Sequence, residues 1–151
     1  MQKQQLSESE VLEKLRSFCA YRERASSEVG VRAKELGLSA DKIDTAINQL
    51  EQEGFIDDQR FAELYARSKF RQNQWGRYKI REGLYSKRVK ESFAEIALAE
   101  LDQDDYEKQA KELIEKFDGQ GYAADRIFQK MKAKGYEGDL VYSVMQGMKL
   151  V

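Results

Sequence analysis

The chain has 151 residues, about one ordinary domain's worth, with no proline, no histidine, one cysteine and 35% charged residues. Without histidine there is no Ser/His/Asp triad, no imidazole acid–base chemistry and no His-ligated zinc, and the lone Cys19 excludes an intrachain disulfide or a Cys-rich site. The formal charge is −1, yet from Arg67 to Lys90 nine basic residues face the single acid Glu82, a net +8, so the remainder sums to −9.

Taken in chain order, apolar residues recur at helical spacing almost everywhere, which predicts an all-α fold. Ser7 with Glu10 forms a capping-box pattern that opens a helix through Val11, Leu12, Leu15, Phe18 and Cys19. Ser26 or Ser27 is the expected cap of a second helix stopping at Gly37, and Ser39 of a third that carries Ile43, Ala46, Ile47 and Leu50 to Gly54. The pattern restarts with Asp57 as N-cap for Phe61, Ala62, Tyr65, Ala66 and Phe70. A shorter helix follows from Gly76, with Ile80 and Leu84, and then another with Phe93, Ile96, Ala97 and Leu101. Asp104 with Glu107 is expected to cap a helix holding Ala110, Leu113, Ile114 and Phe117. Two more run from about Tyr122 to Lys134 and from about Gly138 to Lys149.

Long helix, short helix, helix occurs three times. Aligning Gly37, Arg88 and Gly135, at periods of 51 and 47 residues, brings Leu38, Val89 and Tyr136 together, as well as Ile43, Ala94 and Val141, and Ile47, Leu98 and Met145. The expected architecture is therefore tandem repeats of three-helix modules stacked into an elongated, curved body, because a module near 50 residues buries too little surface to stand alone. The expected divisions are a flexible tail over 1–6 and modules over 7–54, 55–102 and 103–151. The N-terminus has no apolar signal core and no apolar run exceeds four residues, so the expectation is a soluble, cytoplasmic chain with no membrane partner. It is expected to be a monomer.

The basic block is the strongest functional signal. Arg67 and Arg71 lie one helical turn apart, as do Arg77 and Arg81, while Lys69, Lys79, Lys87, Arg88 and Lys90 widen the stripe and Trp75, Tyr78 and Tyr85 interleave aromatic groups. Eight uncompensated charges repel one another unless something anionic gathers there, which points to an acidic or polyanionic partner. The stretch 29–56 offers an alternative, a winged-helix-like DNA-binding transcription regulator. However, residues 26–53 hold three bases and six acids, and Asp57-Asp58 and another helix follow where a wing needs a hairpin. For an enzyme, the acids Asp57, Asp58, Asp102, Asp104 and Asp105 sit where helix caps are expected, and no phosphate-loop or EF-hand spacing occurs. Cys19 lies on an apolar face, and neither a metal nor a cofactor is expected.

Gly54-Phe55-Ile56-Asp57-Asp58 followed by Phe61-Ala62, then Arg67-Ser68-Lys69, Trp75-Gly76-Arg77-Tyr78-Lys79-Ile80, and Leu84 with Lys87, resembles the RecX family of recombination regulators. Arg88 stands where that family usually has glycine, and Gly83 is unusual inside a helix. The resemblance implies a non-enzymatic regulator that binds the RecA nucleoprotein filament, with its single-stranded DNA as a further contact, and inhibits ATP hydrolysis, strand exchange and filament growth. On that basis the expected contact residues are Arg67, Lys69, Arg71, Trp75, Arg77, Tyr78, Lys79, Arg81, Lys87 and Arg88.

Overall fold

A computed structural model describes residues 6–151. The expected tail therefore lies outside the described residues except for Leu6, which packs on the first hydrophobic cluster. Among the described residues there are nine α-helices and no strand: α1 Glu8–Tyr21, α2 Ser26–Glu35, α3 Ala40–Gln52, α4 Asp58–Asn73, α5 Arg77–Ser86, α6 Glu91–Ala99, α7 Gln103–Gly119, α8 Ala124–Ala133 and α9 Gly138–Gly147. No helix among them is long and apolar enough to cross a membrane.

The repeat holds to the residue through the second helix of each module and at the start of the third. α2, α5 and α8 begin and end at the aligned positions, and so do the starts of α3, α6 and α9. The same stop ends each second helix: Gly37, Arg88 and Gly135 take φ of 94°, 57° and 97°. The next N–H, from Leu38, Val89 or Tyr136, donates to the carbonyl of Ala33, Leu84 or Met131 at 3.0, 3.1 and 3.1 Å. This is the left-handed C-cap that lets the chain turn into the third helix. Arg88 keeps that geometry without glycine. Helices of ten residues are marginal in isolation, so packing must hold them. Val29, Ile80 and Ile127 at one aligned position, and Ala33, Leu84 and Met131 at the next, are all essentially fully buried.

Several local expectations are corrected. Ala25, not Ser26 or Ser27, is the N-cap of α2, and the Glu28 carboxylate accepts the Ala25 N–H at 3.0 Å. Both serines are used between modules instead. Asp102, not Asp104, caps α7, accepting from the Asp105 N–H at 2.9 Å. Ile96, expected in the core, is 50% exposed. Ser7 and Asp57 do cap α1 and α4 as expected, at 3.1 and 3.0 Å. The unusual Gly83 is explained by α4: a Cβ there would stand 2.0 Å from the Tyr65 hydroxyl.

Two cores result. One is confined to α1–α3 with the following Ile56, and the other runs through α4–α9 and takes in Ala25. The accessible surface, 9698 Å², exceeds the roughly 7900 Å² of a compact monomer of this mass, so the body is elongated. Ile56 leads through Asp57 directly into α4, with no hairpin that could serve as a wing.

Candidate interaction surface

The modules join by a repeated dock. The start of α2 meets the turn after α5, and the start of α5 meets the turn after α8. At the first seam the Ser27 hydroxyl donates to the Lys87 carbonyl at 2.5 Å, and the Ser26 N–H donates to the Asp58 carboxylate at 2.8 Å. At the second, the Gly76 and Tyr78 N–H groups donate to the Lys134 and Gly135 carbonyls at 2.8 and 2.9 Å, and the Arg77 N–H donates to the Tyr106 hydroxyl at 3.0 Å. A Cβ on Gly76 would lie 2.4 Å from the Gly135 carbonyl, and one on Gly135 would lie 2.5 Å from Lys79. Backbone-on-backbone approach of this kind needs glycine on both sides. The close approach that Gly76 permits is thus to the chain's own third module.

This seam decides what the basic residues offer. Arg77 lies 3.8 Å over the Tyr106 ring, donates to the Glu137 carboxylate at 2.7 Å and to Gln103 at 2.7 Å, and is only 19% exposed at its side chain. Tyr106 donates its proton to the same Glu137, and burial followed by that carboxylate drives the phenol well above its usual range. Beside it, Tyr136 donates to the Gln74 carbonyl at 3.0 Å and accepts from Gln109 at 2.7 Å; burial pushes its phenol up to about 12. Arg81 forks onto Glu95 at 2.7 and 3.3 Å, and that hydrogen bond holds the Glu95 carboxyl below its ordinary range. The Lys87 ammonium lies 3.7 Å from Glu28 of α2. Burial alone would raise the Glu28 carboxyl, but the Ala25 N–H, Arg22 and Lys87 together bring it below its ordinary range.

Three of the eight expected cationic contacts are therefore compensated, Arg77 and Lys87 by carboxylates of the flanking modules and Arg81 within its own. Among the described residues Arg67, Lys69, Arg71, Lys79 and Arg88 enter no ion pair. They do not form one stripe. Arg67 and Arg71 share an exposed flank of α4, while Lys69, about 200° further around the helix from Arg67, lies on the other. Arg88 borders a cleft between the first and second modules with Lys34 and Lys87. What the fold does bring together is Trp75, Lys69 and Lys79. After α4 ends in left-handed Gln74, the Trp75 N–H turns back to the Lys69 carbonyl at 3.1 Å. The half-buried indole then has the Lys69 ammonium 5.0 Å and the Lys79 ammonium 4.8 Å from its centre. Tyr78 is 53% exposed on the other side of α5, 5.4 Å from the Arg81 guanidinium.

Lys134 of the third module also belongs here, and pattern reading missed it. Its ammonium approaches the Asn73 carbonyl at 3.5 Å, and burial, then Lys79 and Lys116, lowers its proton affinity. The repeat register equates Lys134 with Lys87, but periodicity does not say which helix each turn meets. No group of three or more His, Cys, Asp or Glu among the described residues is placed to hold a metal ion.

Residues 57–98 match the family model for the second three-helix domain of RecX. Regulatory protein RecX of Geobacillus sp. (strain WCH70) is 34% identical over 99 residues, covering 66% of this chain and 36% of that protein. Regulatory protein RecX of Chlorobium phaeobacteroides (strain BS1) is 32% identical over 81 residues, covering 54% of each. These similarities support the RecX family for this chain. It spans between about a third and just over half of the length of these RecX relatives. The crystal structure of RecX from Lactobacillus salivarius shares the fold at a TM-score of 0.84 and 23% identity, over 95% of this chain and 97% of that one. The RecX domain match covers α4, α5 and most of α6, and so includes Lys69 on α4, Lys79 on α5 and Trp75 in the turn between them.

Proposed function

We propose that this chain is a regulator without catalytic chemistry of its own, acting as a cytoplasmic monomer. It binds the RecA nucleoprotein filament and restrains its ATP hydrolysis, strand exchange and growth. The observation that carries this reading is the set of unpaired cations on the second module, with Lys69 and Lys79 fixed beside Trp75. Uncompensated charge held in place by a packed indole is available to an anionic filament surface at no cost in broken ion pairs. The elongated body adds length along which a filament can be followed.

Lys69, Lys79 and Trp75 are the proposed centre of the contact, with Arg67, Arg71 and Arg88 on neighbouring faces. Arg77 acts by holding the third module in place. A RecA-type ATPase on single-stranded DNA, titrated with wild-type protein and with the Lys69→Glu/Lys79→Glu double variant, tests this. Wild-type protein should inhibit, and the variant, with an unchanged circular dichroism spectrum, should lose most of that inhibition. Equal inhibition by both would reject the surface; no inhibition by either would reject the function.

A further inference from the structure

The basic block contains one acid, Glu82, and the fold sets it between two tyrosines. Tyr78, Glu82 and Tyr85 lie at i, i+4 and i+7 on α5 and so share one stripe, with Tyr78 53% and Tyr85 83% exposed. After the left-handed turn at Arg88, α6 packs against α5. Val89 and Ala94, both buried, then form the floor of a groove of about 510 Å³, and the exposed Glu91 lies at its edge. Among the described residues neither Glu82 nor Glu91 enters an ion pair. Arg81, which also lines the groove, is already forked onto Glu95. The groove therefore combines two tyrosine rings, an apolar floor and two uncompensated carboxylates.

The other modules do not repeat it. Where the second module has Tyr78, Glu82 and Tyr85, the first has Ser27, Val31 and Lys34 and the third has Asp125, Gln129 and Lys132; Ala94 is small where the aligned Ile43 and Val141 are branched. These groups select their occupant. A nucleic-acid base stacked on either ring would bring its phosphate into the field of two carboxylates, which repel it. A guanidinium is weakly hydrated, stacks on aromatic faces and forks onto carboxylates, while its methylene stem covers apolar surface. We propose that this groove binds an arginine side chain of a basic protein segment, held by Glu82 and Glu91 against the rings of Tyr78 and Tyr85. The second module then carries two chemistries, anion-seeking cations beside Trp75 and a cation-seeking groove on the solvent-facing side of α5. The inference goes beyond the filament reading and does not depend on it.

The test is an NMR titration of the full isotope-labelled chain, without recombinase, with a five-residue acetylated peptide that carries two arginines around a leucine, and with the same peptide in which citrulline replaces arginine. The arginine peptide should shift the amides of Glu82, Tyr85 and Glu91 saturably, with a Kd of about 1 mM or tighter, and the citrulline peptide should bind about tenfold more weakly. Glu82→Gln/Glu91→Gln should lose about tenfold in affinity and Tyr85→Ala about threefold. Glu112→Gln/Glu115→Gln, the same charge change at exposed positions of α7, should lose none. Equal binding of the citrulline peptide, or wild-type affinity in Glu82→Gln/Glu91→Gln at unchanged melting temperature, would overturn the arginine site. So would saturable shifts of the same amides by oligothymidylate, which would assign the groove to nucleic acid. Because the titration contains no recombinase, its outcome is separate from that of the ATPase measurement.

Discussion

Among the described residues Gln74, Arg88 and Lys149 hold left-handed backbone without being glycine. For an L-residue that conformation costs roughly 1–2 kcal/mol, so each persists because the surrounding turn requires it. At Arg88 the requirement is visible, because the aligned Gly37 and Gly135 make the same turn with the same hydrogen bonds. Arg88→Gly is therefore expected to raise stability by about 1 kcal/mol, read as a higher urea midpoint at unchanged slope. A lower midpoint would mean that the Arg88 side chain contributes more to the fold than its exposed position indicates. The residue scale also explains Gly83, whose missing Cβ makes room for the Tyr65 hydroxyl on the neighbouring helix.

At the scale of elements, two arginines one turn apart on α5 have different fates. Arg77 is sandwiched between Tyr106 and Glu137, with side-chain exposures of 19% and 23% for the ion pair, whereas Arg81 and Glu95 remain at 36% and 48%. Removing a partner from a mostly buried pair leaves a desolvated charge behind, but an exposed pair is replaced by water. Arg77→Ala should therefore cost on the order of 2 kcal/mol, and Arg81→Ala no more than about 1 kcal/mol, by chemical denaturation. Equal losses would contradict the seam as the reason for the Arg77 position. α5 thus has two roles divided around its axis, one joining modules through Arg77 and Lys79 and one facing solvent with Tyr78 and Arg81.

At the scale of the whole molecule, the second and third modules share a continuous core, while the first keeps its own. The first seam rests on Ala25, the Ser26 and Ser27 hydrogen bonds, and the ion pairs Arg60–Glu23 and Lys87–Glu28. Local opening free energy follows the buried contacts broken. Hydrogen exchange should therefore report a lower opening free energy for α1–α3 than for α4–α9. Identical protection across the chain would show that the first seam couples the modules fully. With its second and third modules in one unit, the protein presents the Trp75 region and Lys134 on a single rigid support.

Helix order, the three-fold repeat and the stops at Gly37 and Gly135 were legible in the sequence, because apolar period and glycine caps are local properties of the chain, whereas the left-handed turn at Arg88 was shown by the structure. The caps misplaced at Ser26 and Asp104 show where local reading fails: several residues compete for the same N–H groups, and the winner depends on what the loser can bind elsewhere, as Ser26 does on Asp58. The basic block was likewise legible as composition. Which of its charges remain free was settled by tertiary structure alone, since Glu137 and Glu28 are brought to Arg77 and Lys87 from positions distant in the chain, and Lys134 reaches the Trp75 region only through the Gly76–Gly135 contact. Hydrophobic periodicity records how each helix faces its own module, but it holds no record of which carboxylate the next module will carry across the seam.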